Sequence, residues 1–146
     1  MATLGDLARQ NTVLEKEDIV HLQNLISEWG MLADFCFADL LLYLPTDDGK
    51  WIVGAHVRAA TGQTLYIADR VATWAAHEEE LLLAEAYSTG EWSEGEIPLE
   101  EGAQQARMFA IPVRFNGRPI AVLSREWSTR SSRQPGELER TYLEIF

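Results

Sequence analysis

Phe109-Ala-Ile-Pro112-Val-Arg-Phe115-Asn116-Gly117-Arg-Pro-Ile120-Ala-Val-Leu123 is the stretch on which the fold turns. Phe109, Ile111, Val113 and Phe115 fall on one face of a strand predicted over Arg107 to Phe115, because successive residues of a strand point to opposite sides. Asn116-Gly117 is the strongest hairpin signal in the chain; both residue types tolerate the positive φ that a two-residue type I′ turn demands. Ile120 to Arg125 is the predicted return strand.

Working outward from that hairpin, Glu91 to Gly102 is acidic, carries Gly95 and Pro98, and reads as loop or edge strand. Glu78 to Tyr87 reads as a helix that Gly90 ends. A second hairpin lies upstream. Ala38 to Leu44 is a buried strand, Asp48-Gly49 the turn, and Trp51 to Ala59 the return. Strict alternation places Trp51, Val53, Ala55 and Val57 on one face and Ile52, His56 and Arg58 on the other. Leu65 to Ile67 is a further short strand.

Two helices lead in. Thr3 to Gln10 is a short one, and Thr12-Val-Leu-Glu15 has the spacing of a capping box for the next. From Asp18 to Phe37, Ile19, Leu22, Ile26, Trp29, Ala33 and Cys36 recur three and four apart and form one apolar stripe. Ser128 to Gly136 is polar linker, and Glu137 to Phe146 opens another helix with Leu138, Tyr142 and Ile145 on one side. That helix stops without Gly, Pro or a basic last turn, as if cut, so a fragment of a longer protein is expected. The order of elements implies an α+β fold: a central antiparallel sheet of five or six strands with N- and C-terminal helices on one face. One domain over 1–146 is expected, with a helical lead-in 1–37, a sheet core 38–127 and a linker helix from 135.

Composition narrows the function. Twelve basic residues against 23 acidic give a net charge of −11, which repels phosphate backbones and anionic lipid, so neither nucleic acid nor a membrane is expected as partner. The acids concentrate: residues 76–105 hold nine and no Lys or Arg, whereas 106–146 hold seven Arg and four Glu. The acidic stretch is read either as a solvated face or as a segment packed against the Arg-bearing strands. The single cysteine, Cys36, excludes an intrachain disulfide or thiol pair. No run is long and apolar enough to span a bilayer, and Met1 to Asp6 lacks the features of a signal peptide, so a cytoplasmic location is expected.

Catalytic motifs are missing. The chain has no Gly-rich phosphate loop and no G-x-S-x-G elbow. His77-Glu-Glu-Glu80 begins like a zinc-protease helix but lacks the second histidine. His21, His56 and His77 are far apart, so no metal site is expected, and each reads as an isolated imidazole. No nucleophile has a base at a recognisable spacing, so this chain is not expected to be an enzyme.

The 109–123 hairpin resembles the signature of GAF domains: a strand with an apolar-Pro-apolar step, a Gly turn, then Ile-Gly-Val-Leu, with Ala121 here in place of the glycine. A longer, collinear set of blocks is similar to the N-terminal sensor region of PdtaS-like two-component histidine kinases of actinobacterial type. These blocks are Thr3-Leu-Gly-Asp-Leu7, His21-Leu-Gln23, Glu28-Trp-Gly-Met-Leu-Ala-Asp34, Phe37-Ala-Asp-Leu-Leu41, Thr61-Gly-Gln-Thr64, Ala110-Ile-Pro-Val-Arg114, Ile120-Ala-Val-Leu-Ser-Arg125 and Leu138-Glu-Arg-Thr-Tyr142. The resemblance implies a GAF sensor followed by a PAS domain, a phosphoacceptor helix region and an ATP-binding domain. The parent would use ATP and magnesium to autophosphorylate a histidine, pass the phosphate to a response regulator, and act as a homodimer. The chain lacks the motif of cyclic-nucleotide GAF domains, and Cys36 lies on the wrong helix for bilin attachment. The ligand is unknown, and cyclic di-GMP is carried as a candidate from the resemblance.

The GAF architecture implies a pocket on the sheet face away from the core, closed by the connection Ala60 to Ala76 and the following helix. Candidate ligand residues are Tyr43, His56, Arg58 and Arg107, with Tyr66 and Trp92 from the loops. The stripe Ile19, Leu22, Ile26, Trp29, Ala33 and Cys36 is read as core, or as partly a dimer and signalling seam. Two roles follow: a sensory domain that tunes the kinase, or a structural dimerisation module that binds no small molecule.

Overall fold

The computed structural model describes residues 3–29, 39–57, 70–98 and 105–128. Its elements are α1 (Leu4–Asn11), α2 (Lys16–Ile26), β1 (Asp39–Pro45), β2 (Trp51–Val57), α3 (His77–Thr89), β3 (Ser93–Pro98), β4 (Gln105–Phe115) and β5 (Arg118–Ser128). The five strands form one antiparallel sheet in the order β2-β1-β5-β4-β3. The predicted strand at 65–67, the second half of the Asp18 to Phe37 helix and the 137–146 helix lie outside the described residues.

The β4–β5 turn forms as its sequence dictates. Asn116 and Gly117 both take positive φ, 55° and 79°, the two left-handed residues of a type I′ turn. Pro112 sits two residues past the last β3–β4 rung, Ser93 opposite Ala110, while still paired with Val122 of β5. Its missing N–H therefore falls where no β3 partner needs it.

The sheet has two unlike faces. On one, Leu40, Leu42, Leu44, Ile52, Phe109, Ile111, Val113 and Leu123 pack with α1 and α2. On the other, Leu41, Tyr43, Trp51, Val53, Met108 and Val122 pack under Leu83 and Ala86 of α3. One strand departs from the alternation expected of it. Leu42 pairs with Ala55 but Tyr43 pairs with Val53, so Gly54 is an extra residue in β2. This β-bulge resets the pleat. Trp51 and Val53 face α3, whereas Ala55 packs on the α1–α2 side. His56, opposite Leu41, comes back to the α3 face, and Ile52 does not share it.

The helices are held at their starts. Thr3 accepts from the Asp6 N–H at 3.2 Å while Asp6 accepts from the Thr3 N–H at 3.2 Å, a reciprocal cap on α1. Thr12, expected to open α2, instead closes α1: its hydroxyl donates to the Ala8 carbonyl at 2.6 Å. Asp18 supports the start of α2 by accepting from the Glu15 N–H at 3.1 Å. The same carboxylate accepts from Arg118 Nη2 at 2.8 and 2.9 Å, which ties α2 to the β4–β5 hairpin. That hydrogen bond, reinforced by the charges of Asp18 and Glu15, raises the Arg118 guanidinium above its ordinary value. Asp18→Ala should lower stability by about 1 kcal/mol through the lost helix-start bond alone. Urea denaturation checks this, and Asp18→Asn, which keeps an acceptor oxygen, should recover part of the loss.

Helix α3 ends at Gly90, whose φ of 72° provides the left-handed terminus.

Candidate functional site on the α3 face

Polar side chains enter the α3 face by the same alternation that supplies its apolar ones. Asp39, Leu41 and Tyr43 share a side of β1, and Asp39 stands opposite Glu126 of β5. Asp39, Tyr43, Ser124 and Glu126 are all buried, as is Glu79 of α3. Unpaired groups of this kind are costly to bury, so each needs a partner.

The contacts form two groups on this face, one around Tyr43 and one around His56. The Tyr43 hydroxyl donates to Glu79 Oε2 at 3.1 Å and lies 3.4 Å from Glu126 Oε2. Ser124 Oγ donates to that same Glu126 oxygen at 2.6 Å, a length typical of a bond to a charged carboxylate. Glu79 Oε1 accepts from the Ala76 N–H at 2.8 Å. One carboxylate thus caps α3 with one oxygen and holds the sheet with the other. Further along, His56 Nε2 lies 3.4 Å from Asp39 Oδ2, and the Arg70 N–H donates to His56 Nδ1 at 3.1 Å. With Nδ1 accepting, the proton of a neutral ring sits on Nε2, facing Asp39.

Tyr43→Phe removes the donor that Glu79 and Glu126 share. An expected loss of about 1–2 kcal/mol follows from leaving a buried carboxylate oxygen short of a partner. Because Glu79 is also the cap, amide hydrogen exchange in the first turn of α3 should quicken in the variant more than exchange in β4.

The structure brings together two of the residues singled out from sequence, Tyr43 and His56. It separates two others from them. Arg107 lies on the α1–α2 side of β4 and pairs with Glu94 at 2.6 Å and Glu96 at 3.6 Å on β3. The acidic segment therefore does pack against an Arg-bearing strand. Trp92 also packs on the α1–α2 side, its ring centroid 5.8 Å from that of Phe109. Arg58 and Tyr66 lie outside the described residues. Of the helical stripe, Ile19, Leu22 and Trp29 are buried against the sheet and Ile26 packs on the same cluster; Ala33 and Cys36 lie outside the described residues. Asp39, Glu79, Ser124 and Glu126 were not anticipated. A signal for them existed, since Asp39 and Ser124-Arg-Glu126 interrupt apolar strands at positions that share a face with Tyr43.

Among the described residues, no three His, Cys, Asp or Glu side chains are arranged to hold a metal ion, and no helix is long and apolar enough to cross a membrane. What the arrangement does is couple: the Tyr43–Glu79 bond joins α3 to the centre of the sheet.

An antiparallel sheet with lead-in helices on one face and a helix over buried polar groups on the other is a GAF-type sensor fold. The chain belongs to the family of the GAF domain of histidine kinase PdtaS, whose model matches residues 4–146. It is 32% identical over 147 residues to the sensor histidine kinase PdtaS of Mycolicibacterium smegmatis, covering 99% of this chain and 30% of that one. It is 36% identical over 146 residues to the sensor histidine kinase PdtaS of Mycobacterium tuberculosis strain H37Rv, covering 97% and 29%. The chain thus spans under a third of the length of these relatives. The solved sensor region of a sensor histidine kinase superposes with a TM-score of 0.70 at 34% identity, covering 99% of this chain and 49% of that one. An IclR homologue of Microbacterium hydrocarbonoxydans, solved with 4-hydroxybenzoate, superposes at 0.59 with 16% identity over 88% of this chain and 66% of its own, a likeness of fold alone.

Proposed function

We propose that this chain is the input domain of a cytosolic two-component histidine kinase, setting how readily the parent autophosphorylates and passes phosphate to a response regulator. The supporting observation is the family match over residues 4–146, with relatives that are sensor histidine kinases more than three times as long. The Tyr43–Glu79 bond supplies a route for the signal. A ligand that competes for Tyr43 or Glu79 has a different affinity for α3 docked and α3 loosened, which is the condition for shifting a two-state equilibrium. Cyclic di-GMP is the first probe. In the full-length parent with ATP and magnesium, Tyr43→Phe should leave autophosphorylation measurable but blunt its change on adding the probe. If removal of residues 1–146 leaves both the rate and its response unchanged, the input role is wrong.

A second reading, a structural and dimerisation module without a small ligand, is favoured by Trp51. This side chain is 5% exposed and packs edge-on against Tyr87 at 5.3 Å, filling the α3 side at the β2 edge. Light scattering over a dilution series tests it. A monomer at every concentration would remove dimerisation through this chain, and a persistent dimer indifferent to ligands would favour it.

A further inference from the structure

A short strap covers β2, the outer strand at one side of the sheet. From Arg70 to Ala75 the chain runs along that edge. The Ala72 N–H donates to the Val53 carbonyl at 2.8 Å, the Val53 N–H to the Thr73 carbonyl at 2.9 Å and the Ala75 N–H to the Trp51 carbonyl at 3.0 Å. The strap is not relaxed. Ala72 has a φ of 71°, a left-handed conformation that crowds the Cβ of any residue but glycine. The paired bonds between Val53 and residues 72 and 73 hold it there, so contacts keep a strained backbone in place.

One of the strap's contacts is titratable. Its first N–H, that of Arg70, donates to His56 Nδ1 at 3.1 Å, and Nε2 of the same ring lies 3.4 Å from Asp39 Oδ2. The side chains of His56 and Asp39 are fully buried. A neutral ring suits both neighbours, accepting at Nδ1 and donating at Nε2. A protonated ring donates at both nitrogens, so its Nδ1–H would face the Arg70 N–H. One buried donor then loses its partner, while the charged ring gains an ion pair with Asp39. Lifting the strap resolves the conflict: Nδ1–H and the Arg70 N–H each reach water, and Ala72 relaxes. Among the described residues, the charges around the ring are Asp39 on β1, Glu126 opposite it on β5, Glu79 of α3 beyond Tyr43, and Arg70, whose Nε donates to Thr73 Oγ at 3.2 Å. The carboxylates favour the charged ring and the arginine opposes it. Together they set where the change falls; the acceptor role of Nδ1 sets its direction.

We propose that Arg70 to Ala75 is a proton-released strap, which lies on the β2 edge while His56 is neutral and lifts when the ring gains a proton. The open strap binds one more proton than the closed one, so closure weakens as pH falls, by at most about tenfold per pH unit. The strap runs directly into the start of α3, where Glu79 accepts from the Ala76 N–H, so its release reaches that helix. The device is independent of the kinase assignment.

Amide hydrogen exchange followed by NMR tests this, over about pH 7.5 to 5.5, the range in which histidine changes charge. Rates are corrected at each pH for intrinsic exchange. Protection at Arg70, Ala72 and Ala75 should fall together, by up to about tenfold per pH unit, while protection in β5 stays level. Two-bond nitrogen spectra of the imidazole follow His56 in the same samples, and Nδ1 should gain its proton in step with the loss of strap protection. His56→Asn has a side-chain oxygen to accept near the place of Nδ1 and takes up no proton, so it should flatten the pH dependence. Ala72→Gly should raise strap protection severalfold at every pH and leave the slope unchanged. Level strap protection while the ring titrates overturns the proposal. So does a ring that stays neutral throughout, a loss in β5 equal to that in the strap, or a slope retained in His56→Asn. The wild-type titration decides by itself if the Asn variant does not fold.

Discussion

Leu22→Ala is expected to destabilise the chain by about 3 kcal/mol, the usual consequence of a leucine-sized cavity in a packed core. For a chain of this size that lowers the melting temperature by about 10 °C. Leu22 is fully buried, in one cluster with Leu4, Ile19 and Trp29 and the sheet residues Leu40, Leu42 and Ile111. Urea denaturation with an unchanged m-value is the measurement. The outcome decides between two roles for the helical stripe. A core leucine destabilises the single chain whatever its concentration, whereas a seam leucine would leave the monomer's stability alone and weaken only its self-association. A loss below about 1 kcal/mol would mean that Leu22 is not packed as described.

Gly54→Val should have a similar effect, about 3 kcal/mol, by overfilling instead of emptying the core. A Cβ at Gly54 would stand 2.7 Å from Leu4 Cδ1 and 2.8 Å from Leu44 Cδ1. Both leucines are buried in the α1–α2 cluster, so neither can swing into solvent. The glycine therefore does two things: it is the extra residue of the bulge in β2, and it lets α1 lie close to that strand. Gly54→Ala should show a smaller loss of the same kind. A companion variant, Leu4→Ala, makes room for the new side chain, so the double mutant should lose less than the two single losses added together. Strict additivity would show that the Leu4 contact is not the source of the strain.

Much of the architecture was legible because it is written in local chemistry. Asn116-Gly117 needs no tertiary context to turn the chain, since few other dipeptides accept two positive φ values in succession. Alternation across 109–115 identified the face that packs on the lead-in helices. Gly90 ends α3 for a conformational reason that is local to it. The collinear blocks from Thr3 to Tyr142 carried the family assignment, and with it the expectation of a sensor fold.

The pocket residues were less legible. Arg107 was grouped with Tyr43 and His56, but parity places it with Phe109, and Glu94 and Glu96 of the neighbouring strand take its charge. Thr12 has the spacing of a helix start yet bonds backwards to Ala8, and Asp18 gives α2 its support instead. Thr12 has possible partners three and four positions away and packing selects one, whereas the side of Arg107 follows from the strand alternation it shares with Phe109.

The sequence by itself determined the hairpins, the two-faced sheet and the family, because turn conformations and strand periodicity are set by the residues next to one another. Tertiary structure alone decided which polar groups meet. The extra residue at Gly54 moves His56 onto the face of Tyr43, and strand order β2-β1-β5 brings Asp39 opposite Glu126. Docking of α3 then delivers Glu79 to a tyrosine 36 positions away in the chain. Contacts at that separation depend on how whole elements pack, which no local pattern encodes.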